Sequence, residues 1–489
     1  MQLNKDGELK SYRLFGLSSL LLLLLATTTF AKSFEDFKKT QNSSFETYRD
    51  ANDKEFSNYL KSEWQEYSAK KSKPLYEKPK PKSITPTTPK QIISVGPLVQ
   101  VILPKEIPEV KEDIKPSKII IVKEIVPKDI NFEFFGDVVG FDIDNKAKVA
   151  HFYPQNQEGI LNFFNTVAAS DYEYTLEAIK KLSLELELND WGVYQLVMKF
   201  SEASYENADD RKLYAWFMFN KLGYDVKVGL GGKHIVMMHY SEKVIYATPN
   251  YHFDKKKFYV ISLYAQGTLG KRLYSYKQSY PNATKPLDLQ LTSLPKFSKN
   301  EKKKTLTFKQ FGEEYSTSYH YNQNLIDFMA TYPQADYETY FNSPLSKETY
   351  EELARGLKKH LDGKKASVAI NFVLNFVQKA FVYQVDEKQF GREKVMFANE
   401  TLYYDKSDCE DRAILFSYLV KELFHINVIG VKYKDHMATA LYIPMKGDSV
   451  RSGNKKFIIA DPTYINANIG QSMPRYKSKI PKSFIFVRN

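Results

Sequence analysis

Cysteine is nearly missing from this chain. Cys409 is the single one in 489 residues, so no internal disulfide can form and the folds must stand on their apolar cores. No glycine-rich phosphate loop is present, and the eight histidines are scattered without the spacing of zinc ligands. No metal and no other cofactor is therefore expected. After the first thirty or so residues, no stretch is apolar enough to cross a bilayer, which takes about 20 residues. Aromatic residues are abundant instead, with 35 tyrosines and 33 phenylalanines. That share supports well-packed cores and excludes a generally disordered chain. The length predicts two or three cores.

The N-terminus reads as an export signal. Lys5, Lys10 and Arg13 precede a leucine-dominated run from Leu14 to Ala26, and Thr29 and Ala31 place small residues where a signal is cleaved. Residues 1–31 are accordingly expected to be removed or kept as an anchor, leaving a periplasmic or secreted protein of a bacterial cell envelope. The net charge of +12 lies in Lys-rich connecting stretches. In an exported protein it suits solvated linkers or anionic envelope polymers better than nucleic acid.

Next come Phe34, Phe45, Phe56 and Tyr67, spaced by eleven, with Phe37, Tyr48 and Tyr59 in a second such row. Eleven residues over three turns is about 3.67 per turn, so the spacing predicts a helix over 32–70 with one aromatic stripe and a capacity for self-association. Residues 71–128, rich in Lys, Pro and Thr, read as an extended linker.

From about residue 129 the chain is globular and internally repeated. NADDRKLYAWFMFNKLGYDVKVGLGGKHIVMMHY from Asn207 matches SDCEDRAILFSYLVKELFHINVIGVKYKDHMATALY from Ser407 in pattern. Asp210-Arg211 stand against Asp411-Arg412, and His234 against His436. VIYATPNY from Val244 then mirrors FIIADPTY from Phe457. Helix-period segments precede each copy, over 172–182 and 191–204, then 346–361 and 368–383. Residues 256–320 alternate in short β-type runs and predict a small antiparallel β domain between the copies; with a helix near 322–332 it makes a β-rich connection over 256–345.

The second copy carries the chemistry. Cys409 opens a helical segment, where unpaired N–H groups and the helix dipole favour thiolate. His436 opens a strand-like run, and Asp461 ends the run FIIAD. Nucleophile, base and orienting carboxylate on three successive elements make a workable triad. Tyr403 and Tyr404 lie on the long connection from Phe381 to Cys409 and are the candidate substrate-binding residues. Asp411 and Arg412 recur in the first copy, which lacks a cysteine, and so read as a structural ion pair. With Ala208 and Thr248 at the cysteine and aspartate positions, that copy reads as degenerate.

The motifs DCEDRA, DHMATA and ADPTY, in that order, resemble the transglutaminase-like superfamily of the papain-like fold. The resemblance covers about residues 346–480 and, more weakly, 130–255. It implies an α+β protein with two transglutaminase-like domains, a degenerate one at 129–255 and a catalytic one at 346–489. It also implies a Cys409-His436-Asp461 triad acting on amide carbonyls of a peptide or protein through a thioester, as protease, amidase or transglutaminase. Cell-wall peptide is one candidate substrate. The competing expectation is a non-catalytic envelope scaffold built on the same domains.

Overall fold

The computed structural model describes residue 47 and residues 49–103, 128–261 and 272–488. The signal-like segment and Phe34, Phe37, Phe45 and Tyr48 lie outside the described residues. The chain divides into two units, Met1–Ser62 and Glu63–Asn489. In the first, residues 49–61 are helical and carry Phe56 and Tyr59 on the expected period. The helix closes at Ser62, whose hydroxyl donates to the Tyr59 carbonyl at 2.6 Å. The stripe does not continue through residue 70, because Gln65–Ser68 is a β-strand in which Tyr67 stands opposite Leu273. A ring spacing of eleven fits both outcomes at its last member, and strand pairing decided this one.

The second unit is mixed α+β and contains two helix-then-sheet bodies. In the first body, Gln157–Ala168, Asp190–Ser204 and Ala208–Lys221 each start on an asparagine (Asn156, Asn189, Asn207) whose side chain accepts a first-turn N–H. Trp191, Tyr194, Tyr214 and Trp216 are fully buried among them. The sheet has six strands, in the order Gln65–Ser68, Arg272–Ser275, Val226–Gly231, His234–Tyr240, Lys256–Tyr259 and Asn250–Phe253. Two strands expected in an intervening β domain, Lys256–Tyr259 and Arg272–Ser275, thus complete this sheet. What remains of that domain is the hairpin Glu301–Gln310 with Glu313–Asn322. It packs its apolar side on the next body, Phe308 against Phe372 and Phe376. Among the described residues the expected β domain is therefore two inner strands of the first sheet and this hairpin, not a single sheet of its own.

The second body begins with Lys347–Leu361, whose inward residues Leu353, Leu357 and Leu361 lie on one face. Ala366–Lys379 and Cys409–Phe424 follow, and then a five-stranded antiparallel sheet. Its order is Ser449–Ser452, Lys455–Ala460, Met437–Leu441, Val428–Lys432 and Ser483–Phe486. The Cys409–Phe424 helix is buried on nearly every side, with Leu415, Phe416, Leu419 and Val420 fully so. Each such side chain contributes about 1.5–3 kcal/mol of transfer free energy, enough to fix the helix against the sheet.

The expected linker is the largest departure. Its described part, residues 71–103, runs as an extended strap along the second body. Lys78 N–H donates to the Lys434 carbonyl at 3.2 Å, Thr87 N–H to Ile465 at 3.0 Å and Val99 N–H to Lys364 at 2.8 Å. Leu75, Lys80 and Val101 are buried. The described part is extended, as expected, but it docks on the protein and does not span as a free tether.

Candidate active site

Cys409 is the first residue of its helix, as expected. The turn is set by Asp411, whose Oδ2 accepts the Asp408 N–H at 3.1 Å and whose Oδ1 accepts that of Met396 at 2.9 Å. Arg412 is fully buried and spans from the Ser407 hydroxyl to the carbonyls of Gln378 and Phe381, the latter at 2.7 Å. The expected Asp411-Arg412 ion pair is therefore corrected. Each residue instead satisfies backbone or hydroxyl groups that hold the nucleophile loop to neighbouring elements.

His436 precedes the strand Met437–Leu441, and Asp461 follows the adjacent strand Lys455–Ala460. That register brings imidazole Nε2 to 2.9 Å from Asp461 Oδ2. The other carboxylate oxygen accepts the N–H groups of Thr463 at 2.9 Å and Tyr464 at 3.3 Å. An ionised carboxylate only accepts, so Nε2 carries the proton and Nδ1 presents its lone pair. Nδ1 is buried without a hydrogen-bond partner among the described residues. The ring stacks on Tyr476 at 4.7 Å between centroids.

The sulfur is not hydrogen-bonded to the imidazole. It donates to Glu410 Oε2 at 3.1 Å, which also accepts from the Tyr76 hydroxyl at 3.0 Å. Tyr76 Oη lies 3.9 Å from the sulfur. Burial, reinforced by the Glu410 and Asp408 carboxyls, pushes the Cys409 thiol well above its usual range. The helix start alone predicts the reverse. Desolvation and two adjacent acids outweigh the dipole, and the thiol is protonated at neutral pH.

The residues that sequence reasoning missed come from the strap. Lys80 Nζ pairs with Glu410 at 2.8 Å, Asp386 at 3.0 Å and Glu393 at 2.5 Å, and also with Asp408. Burial pushes Glu410 up, but the Lys80 ammonium overcomes this and holds it at about 2. Burial raises Asp386 to about 6 and Glu393 to about 7, despite the same ammonium. Three sets drawn from Asp386, Glu393, Asp408, Cys409, Glu410 and Asp411 bring ligand atoms within 4.8 Å of one another, close enough to hold a metal ion. In this structure the Lys80 ammonium lies among them. Asp386 and Glu393 do sit on the long connection that its length marked as functional; nothing local in KPKPK marks Lys80.

Tyr403 and Tyr404 are not brought to the sulfur. Tyr403 packs on Tyr321 and Tyr404 on Phe390, while Tyr76 takes the place expected of them. In the first body, Ala208 opens its helix as Cys409 does, and His234 bonds Asp209 at 3.0 Å on an exposed surface. The match of Thr248 to Asp461 fails. The strand beside His234–Tyr240 is Lys256–Tyr259, several residues further along. Among the described residues no helix is long and apolar enough to cross a membrane. No family model, curated protein or solved structure matches the chain.

Proposed function

We propose that residues 346–489 form a thiol-dependent acyl-transfer module of the transglutaminase-like kind, in an exported protein of the cell envelope. The observation that carries this reading is the His436-Asp461 pair, which leaves Nδ1 as an unpartnered base in the body whose helix start bears Cys409. In the reaction, Nδ1 takes the thiol proton and the sulfur attacks an amide carbonyl carbon. The tetrahedral intermediate expels the amine, which leaves with the proton from His436, and a thioester remains on Cys409. Water or a second amine then attacks the thioester and the thiol is restored. Asp461 holds the ring orientation and stabilises the imidazolium.

The burial and raised pKa of the thiol favour a second reading, a scaffold whose triad is inert. Iodoacetamide labelling of Cys409 in the full chain separates the two. For an active pair, His436→Ala slows labelling near neutral pH by about tenfold or more while the circular dichroism spectrum is unchanged. Equal rates in wild type and variant hand the site to the scaffold reading.

A further inference from the structure

The strap is bound in the manner of a peptide ligand. Its main chain supplies most of the contacts: Lys432 Nζ donates to the Leu75 carbonyl at 2.8 Å, the Tyr383 hydroxyl to Pro81 at 2.7 Å and Asn466 Nδ2 to Thr87 at 3.0 Å. Only one charged side chain enters the protein, that of Lys80, and its neighbours Lys78, Pro79 and Lys82 face solvent. Pro79 and Pro81 on either side hold the chain extended and present the lysine at low entropic cost.

The pocket it enters is built for a cation and is not saturated by this one. An ammonium has three N–H donors, and four carboxylates face it. Asp386 Oδ1, fully buried in the same pocket, has no hydrogen-bond partner among the described residues. An empty pocket would leave several buried carboxylates uncompensated, which is strongly unfavourable. An emptied pocket must either take up protons or accept another cation, and near neutral pH a ligand that displaces the strap gains by bringing a positive charge of its own.

We infer that residues 74–90 are an exchangeable self-ligand, and that the groove is a binding site for an extended peptide bearing a lysine-type primary ammonium. The pocket of Asp386, Glu393, Asp408 and Glu410 is its specificity subsite. The strap covers Cys409 at rest, and a competing lysine peptide uncovers it. That this peptide is also the substrate rests on the acyl-transfer reading; that it binds does not.

The test uses the full chain carrying Lys80→Ala, with and without Cys409→Ala. Propylammonium, which replaces the atoms removed, is compared with sodium chloride at equal ionic strength. Lys80→Ala is expected to lower the thermal midpoint and to speed Cys409 alkylation about tenfold, and propylammonium to reverse both saturably. A labelled peptide of residues 74–90 is expected to bind this variant, and the same peptide with Lys80→Met is not. Binding that persists in the Cys409→Ala background supports the subsite even where the thiol proves inert. Propylammonium acting no differently from sodium chloride overturns the subsite, and equal binding of the two peptides overturns the lysine requirement. Should Lys80→Ala not fold, the wild type serves. Excess lysine peptide must then speed alkylation of Cys409 where the methionine peptide does not, and equal rates overturn the inference.

Discussion

Buried ionisable side chains behave here according to whether a partner of opposite charge reaches them. Lys80 keeps its charge among carboxylates, whereas His239 in the first body has none. Its ring is enclosed by Tyr194 and Phe219, and neither nitrogen has a hydrogen-bond partner among the described residues. Burial pushes it down to about 3. Because the folded value lies below the unfolded one of about 6.5, the neutral ring stabilises the fold above that pH. This contribution is lost as pH falls from about 6.5 toward 3, by about 1 kcal/mol per pH unit. His239→Phe removes the titration. Thermal midpoints at about pH 7.5 and 5.5 are expected to differ less in the variant than in wild type; equal differences contradict the assignment. The isolation of His239 depends on rings from two different helices and was not legible in the sequence.

At the scale of elements, Arg412 and Arg211 occupy matching places near the start of matching helices, yet their environments differ. Arg412 is fully buried and donates to two carbonyls and a hydroxyl. Arg211 is partly exposed, and its Nε donates to the Tyr205 carbonyl at 2.6 Å. Arg412→Ala strands two buried carbonyls and opens a cavity, so a loss of about 3–5 kcal/mol is expected. Arg211→Ala, where water replaces the lost donor, should cost about 1 kcal/mol. Urea midpoints of the two variants measure the difference, and equal losses contradict it. The helices Asp190–Ser204, Lys347–Leu361 and Cys409–Phe424 were readable to within a few residues because 3.6-residue periodicity is local, whereas Gln157–Ala168 was not anticipated. The pairing within the first sheet was not readable either. VIYATPNY runs into the edge strand Asn250–Phe253, but it is Lys256–Tyr259 that lies beside His234–Tyr240. Pairing of that kind is settled by partners distant in sequence.

At the scale of the whole molecule, the pairing of His436 with Asp461 was legible and the cover over Cys409 was not. Cys409, His436 and Asp461 stand in motifs, whereas Tyr76 reaches Cys409, and Lys80 reaches Glu410 beside it, from more than three hundred residues away in sequence. This coupling makes the site sensitive to pH through groups other than Cys409, His436 and Asp461. Lys80 faces Asp386, Glu393, Asp408 and Glu410, and its ammonium lowers the pKa of each relative to an empty pocket. Groups whose pKa is lowered by binding release protons on binding, so the strap is held most firmly above the values these groups have in an empty pocket, and the hold weakens from there down to the bound values. As pH falls through about 7 and then 6, where Glu393 and Asp386 take up protons, the hold on Lys80 weakens. Hydrogen exchange reads this directly, because the Lys78 amide is bonded to Lys434 beside the pocket and the Val99 amide to Lys364 far along the strap. After correction for intrinsic exchange, protection at Lys78 is expected to fall about tenfold between about pH 7.5 and 5.5. Protection at Val99 should hold. A uniform loss at both amides would mean that the strap opens as one piece with the fold, and constant protection at Lys78 would mean that the carboxylates do not govern its release.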